Sequence, residues 1–150
     1  MALVMITFST EMWPCSGYRS DTAVATWSRR LYDTSCTLAQ NLCDLTSPHS
    51  DTTSDGLDTM VNCKGRSGTK QKVFYLDLPA GNTFTIQQTA NSFDSVHETR
   101  WGGSACPGTT RVACDGWTNK LQPHSWTNGQ GSTQRLHFIV SGYHSSNSGP

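Results

Sequence analysis

The six cysteines are the residues of this chain best suited by type to do chemistry: Cys15, Cys36, Cys43, Cys63, Cys106 and Cys114. No two stand at the C-x-x-C spacing of zinc ribbons or thioredoxin-like redox sites. An even number spread over long intervals reads instead as three disulfides, which persist in oxidising surroundings. Cys106 and Cys114 flank CPGTTRVAC, where Pro107-Gly108 supplies a turn. The two thiols are expected to meet across that hairpin. Cys43 is then expected to pair with Cys63, closing the polar loop 44–62, and Cys15 with Cys36 by elimination. Six cysteines allow 15 connectivities, so this pairing is one choice among many.

The other reactive side chains form no pattern of comparable weight. His49, His97, His124, His137 and His144 show neither H-x-x-x-H nor H-E-x-x-H spacing, so surface positions are expected for them. Serines are abundant, but no G-x-S-x-G elbow occurs. No glycine-rich phosphate loop is present. Asp94 and Asp115 are the best carboxylates for a shared cation, yet two acids without a ligand-dense loop are a thin calcium signal. No metal or other cofactor is therefore expected. Trp101, Trp117 and Trp126 lie in or beside loops. They could stack on sugar rings, but capping the core is preferred, since tryptophan is usually largely buried. No N-x-S/T sequon exists. Thr52, Thr53 and Ser54 are the loop positions open to O-linked sugars.

Composition limits what these residues can serve. Only 15% of the 150 residues are charged, and the formal net charge is zero. A nucleic-acid partner would normally demand a basic surplus. Hydrophobic residues make up 35%, a lean supply for a core. About a quarter of the chain is Ser or Thr, which suits strand surfaces and loops better than long helices. The apolar start Met1–Phe8 lacks a preceding basic residue and a small-residue cleavage site, so it makes a poor signal peptide. It is also too short to span a bilayer. The numbered chain is expected to be a mature piece or fragment of an extracellular or cell-surface protein.

The elements that would position these residues are mostly strands. Leu3–Phe8 is apolar on both faces: Val4, Ile6 and Phe8 on one, Leu3, Met5 and Thr7 on the other. Residues 18–40 fit a strand with a loop, although Val24, Trp27 and Leu31 also have helical spacing. Residues 44–58 read as a polar loop. Lys72–Leu78 and Asn82–Gln88 are strands joined by Pro79-Ala80-Gly81, a connection that predicts a hairpin. Ser95–Trp101, Thr110–Cys114 and Arg135–Val140 follow. Many short strands with regular turn signals indicate an all-β antiparallel sandwich or jelly roll.

The run VFYLDLPAGNTFTIQQT, then SFDSV, then CPGTTRVACDG, then RLHFIVSGYHSSNSG resembles the pre-peptidase C-terminal domain family over roughly residues 43–150. The resemblance implies a secreted, jelly-roll-like sandwich appended to enzymes or surface proteins. Such domains are generally non-catalytic and assist secretion, adhesion or substrate contact. Members often carry consecutive acidic residues after the second cysteine of the C-x7-C loop; here Asp115 is followed by Gly116 and Trp117. Members also continue past the SSNSG turn into a final strand, which would begin at Pro150.

A sandwich without that strand would expose an apolar groove with unpaired backbone. The strand Leu3–Phe8 could fill it, which divides the chain into a strand arm, 1–14, and a stapled sandwich, 15–150. The donor strand could come from a neighbouring copy or from the same chain, or the sequence could be cut between tandem domains. Burial of Val4, Ile6 and Phe8 would contribute roughly 5–9 kcal/mol before ordering costs. Donation between copies through Leu3, Val4, Met5, Ile6 and Phe8 is head-to-tail and would build a filament. The leading expectation is thus a non-enzymatic structural subunit, a homopolymer joined by strand donation. The alternative is an accessory module that contacts a polymer or carbohydrate. A small hydrolase ranks last for want of a catalytic constellation.

Overall fold

The computed structural model describes residues 4–9 (backbone only), 36, 38–58, 62–103, 105–116 and 122–149. Among the described residues, nine strands form two sheets: β1 Val4–Ser9, β2 Gln40–Asn41, β3 His49–Asp51, β4 Gln71–Leu78, β5 Thr83–Ala90, β6 Ser95–Trp101, β7 Thr110–Gly116, β8 His124–Thr127 and β9 Gln134–Gly142. The smaller sheet has the order β3-β1-β5-β8, the larger β2-β4-β9-β6-β7. All pairs are antiparallel except β2 with β4. The fold is therefore an all-β sandwich.

Strict alternation builds the shared interior. On β4, Phe74, Leu76 and Leu78 point inward; on β9, Leu136, Phe138 and Val140 do so, with Phe74↔Phe138 and Leu76↔Leu136 in register. Phe84 and Ile86 of β5 and Leu42, from a single 3-10 turn, complete this cluster. Each such side chain contributes roughly 1.5–3 kcal/mol by leaving water.

Three expectations change. The strands β4 and β5 do not form a hairpin, because β4 pairs with β9 and β2 while β5 pairs with β1 and β8. The Pro79-Ala80-Gly81 corner instead carries the chain from one sheet to the other. Asn128 fastens that corner: its backbone carbonyl accepts from Gly81 N (2.8 Å), and its N–H donates to the Asn82 carbonyl (2.9 Å). Its side chain donates to the Leu78 carbonyl (2.8 Å). Facing apolar strands across two layers satisfies the same alternation as a hairpin would, so the pattern alone does not separate them. Secondly, the polar loop 44–58 contains β3, and β8 was not anticipated at all. Thirdly, the region 18–40 is described only at Cys36 and Leu38–Gln40, where β2 begins.

The N-terminal strand lies within the sheet of its own chain. Its backbone pairs with β3 through Val4–Ile6 and with β5 through Met5–Ser9. Leu3 lies outside the described residues. Both edges of β1 are used, and so are both edges of β5.

The expected disulfide pairing is corrected. Cys36 bonds Cys106 and Cys63 bonds Cys114, each with Cα atoms 6.0 Å apart. Cys43 is also disulfide-bonded, and Cys15 lies outside the described residues. Cys114 cannot meet Cys106 for a geometric reason. Cys106 sits in the β6–β7 loop, whereas Cys114 is four residues inside β7, carried about 14 Å away along the strand.

The bridges explain a second buried surface. On the outer face of the larger sheet, Val73, Val96, Glu98, His137 and Ile139 are buried, although the alternation directs them away from the sandwich interior. The cysteines staple other parts of the chain across this face. Asn62 adds a hydrogen bond to the Gly142 carbonyl (3.0 Å). Its Oδ1 accepts from Lys64 N and Arg66 N, closing the turn that presents Cys63.

Candidate functional site

A polar groove lies on that covered face. Strand β6 points His97, Thr99 and Trp101 inward and Glu98 and Arg100 outward; a register shift interrupts its pairing with β7 between Thr99 and Arg100. Glu98 is only 5% exposed. Its Oε1 accepts from Arg100 Nη1 (2.6 Å) and Arg111 Nε (3.2 Å). Arg100 also donates to the Gly108 carbonyl through Nε (2.9 Å) and to the Thr109 carbonyl through Nη2 (3.2 Å). The guanidinium is thus held on three sides by the sheet and the β6–β7 loop. Gly108 makes this approach possible: its φ is +99°, and a Cβ there would come within 2.7 Å of the Trp101 backbone.

The groove has a volume of about 280 Å³ and is lined by Asn62, Gln71, Glu98, Arg100, Pro107, Gly108 and Ile139. It lies just below the roughly 300–1,000 Å³ usual for ligand sites. Fixed donors, one carboxylate and an aliphatic floor suit a hydroxyl-rich group better than an apolar one. None of its polar members had been singled out. Glu98 and Arg100 stand two apart on a strand, and only the loops covering their face convert that spacing into a concave site.

The expectation of surface histidines fails for three of the five. His97, His124 and His137 are 0%, 3% and 7% exposed. His49 is half-buried against Phe74, and His144 is exposed beside Tyr143. His97 and His124 occupy a polar part of the sandwich interior. Asn91 Nδ2 donates to Ser95 Oγ (2.6 Å), and Ser95 donates to Gln88 Oε1 (3.1 Å). Ser95 has spent its one proton, so His97 Nε2 is the donor in their 3.1 Å contact.

His124 links the sheets. Thr99 Oγ1 lies 2.6 Å from its Nδ1, and Asp115 Oδ2 lies 2.9 Å from its Nε2. An ionised Asp115 can only accept, so Nε2 carries the proton and Nδ1 accepts from the Thr99 hydroxyl. Burial pushes the His124 pKa down, outweighing the hydrogen bond and charge of Asp115. This is the proton order of a hydroxyl–histidine–carboxylate triad. Thr99 is 1% exposed and the His124 side chain 1%, so the hydroxyl is out of a substrate's reach. The arrangement ties β8 to β6 and β7. The opposite opening of the sandwich is latched similarly: Asp51 accepts from Gln40 (2.7 Å) and pairs with Lys72 (3.3 Å). Burial works against the Lys72 charge, but Asp55 and Asp51 outweigh it and raise its pKa.

The remaining candidates divide. Trp101 and Trp126 pack together at 5.0 Å and against the core cluster, the capping role preferred for them; Trp117 lies outside the described residues. Asp115 is engaged with His124, and neither it nor Asp94 belongs to a cluster of three ligating side chains among the described residues. Of the loop hydroxyls, Thr53 is fully buried and bonded to the Gly149 backbone, which removes it as a glycan position. Thr52 is half-buried and Ser54 exposed. The side chains of Val4, Met5, Ile6 and Phe8 lie outside the description.

On the same outer face, His137 is pushed down to a pKa of about 4 by burial first and by the Arg135 charge second, against a hydrogen bond to the Pro107 backbone and the charge of Asp77. It is neutral at neutral pH. Among the described residues, no helix is long and apolar enough to cross a membrane. No protein-family model matches the chain, and no curated protein or solved structure matches it.

Proposed function

We propose that this chain is a non-catalytic, extracellular binding module whose working surface is the Glu98–Arg100 groove. Its ligand is a hydroxyl-rich group such as a carbohydrate. The observation that carries this reading is the three-sided clamp on Arg100, which presets the groove before any ligand arrives and lowers the ordering cost of binding. The disulfides fit oxidising surroundings, and the family that the sequence resembles is generally non-catalytic and assists secretion, adhesion or substrate contact. Isothermal titration with soluble neutral and uronic-acid oligosaccharides tests it. The intact protein should bind at least one class. Arg100→Lys should weaken that binding at least tenfold, and Arg135→Ala, on an exposed pair elsewhere, should not. Binding unchanged by Arg100→Lys would place the site elsewhere.

A second reading rests on β1. This strand is inserted between β3 and β5 and is paired on both sides. A neighbour's copy could occupy the same slot, giving the head-to-tail filament anticipated from the sequence. It ranks second because β1 closes the sheet of its own chain. Sedimentation over a wide concentration range tests it: polymers that disappear when residues 1–9 are deleted support donation, and a monomer throughout rejects it.

A further inference from the structure

We infer that Cys36, Cys106 and His137 form a metal site that the disulfide keeps closed: the oxidised pair excludes the ion, and the reduced pair takes a soft divalent ion such as Zn²⁺. The two sulfurs and one ring nitrogen of His137 lie within 4.8 Å of one another. Among the described residues this is the only group of three or more potential metal ligands so placed. Thiolate and imidazole are the ligand types that zinc prefers.

The histidine supplies the independent observation. It is 7% exposed, and its Nδ1 has no hydrogen-bond partner. The ring's backbone hydrogen bond is to Pro107, next to Cys106. A buried, neutral imidazole with an unpartnered ring nitrogen is able to ligate a metal. His137 also sits in the middle of β9, paired with Tyr75 and Arg100 on either side. The sheet therefore holds this ligand whether or not the cysteines are bonded. Arg135, the nearest cation on the strand, is occupied by a two-pronged pair with Asp77 at 2.8 and 2.7 Å.

The chemistry balances with a dithiol reductant. The dithiol gives two electrons and two protons to the Cys36–Cys106 bond, yielding two thiols, and itself closes to a cyclic disulfide. The ion then displaces one proton from each thiol, two in all, and bonds both sulfurs and the imidazole. Three protein ligands leave one tetrahedral position for water, as in open zinc sites. In oxidising surroundings the sulfurs stay bonded and the site stays closed.

The probe is Co²⁺, which reports thiolate ligation by a near-ultraviolet charge-transfer band. The intact chain is reduced anaerobically with an immobilised phosphine, which becomes its oxide while water supplies the protons. Near-ultraviolet circular dichroism follows the fold. One Co²⁺ per reduced chain and none for the oxidised chain are expected. Cys36→Ser should abolish the band, His137→Asn should weaken binding at least tenfold, and the double variant Cys63→Ser/Cys114→Ser should retain it. A reduced chain without the band, a band that survives Cys36→Ser, or a band seen only after the near-ultraviolet signal is lost would each overturn the inference.

Discussion

The two faces of the larger sheet use the same strands in opposite ways. The inner face of β4 and β9 is Phe74, Leu76, Leu78, Leu136, Phe138 and Val140, a surface that needs only burial. The outer face offers Val73, Tyr75, Asp77, Arg135, His137 and Ile139, a mixture that elsewhere would meet solvent. Here two disulfides hold other segments over part of it, so His137, Ile139 and Glu98 are buried while Asp77 and Arg135 stay exposed. Burial without an apolar neighbourhood is what gives that face its chemistry: a clamped arginine, a neutral histidine and a groove. The inner face supplies stability, and the outer face supplies the candidate site.

Adjacent residues on β9 test the comparison most severely. Phe138→Ala, on the inner face, should cost about 3–5 kcal/mol in chemical denaturation. Ile139→Ala, on the outer face, should cost about 2–4 kcal/mol, where a solvent-facing position would cost less than about 0.5 kcal/mol. A negligible effect at Ile139 would break the claim that the outer face is a second core.

The staple comes next. Replacing Cys63 and Cys114 together by serine should lower stability by about 2–4 kcal/mol. It should also shrink the penalty of Ile139→Ala, because a loosened cover gives that side chain less to lose. Additive effects in the double-mutant cycle would show that the bridge acts on the unfolded chain alone.

Acid sharpens the contrast further. The folded-state pKa of His137 is depressed to about 4, below the unfolded value of 6.5. The unfolded chain therefore binds the proton first, and stability falls as pH drops from about 6.5 to 4. The loss should reach about 2–3 kcal/mol by pH 4. His124, also depressed, acts in the same direction. His137→Gln should flatten most of this slope in denaturation curves taken between those pH values. Smallest of all, Asp77→Ala should cost less than about 1 kcal/mol, since its pair with Arg135 is exposed.

The inner face was largely legible in the sequence. Apolar alternation in KVFYLDL, NTFTIQQ and RLHFIV placed β4, β5 and β9 within two residues of their ends. Ser95–Trp101 matched β6 at both ends. Pairing was less legible, because a hairpin and a sheet-to-sheet corner bury the same residues; the corner is held by Asn128, far along the chain. The outer face was hidden. Its burial depends on which cysteines meet, and Cys114 reaches Cys63 rather than Cys106 because of its depth in β7. The polar interior was hidden too, since nothing in Ser95–Trp101 marks Ser95 and Thr99 as facing Gln88 and His124.

The proposed binding surface is the covered part of the larger sheet's outer face. Amide and side-chain chemical-shift mapping during titration with the oligosaccharide class that binds tests it most directly. The largest shifts are expected at Asn62, Gln71, Arg100 and Gly108, with the inner-face residues of β4 and β9 unmoved. Shifts confined to other surfaces, or none at saturating ligand, would contradict it.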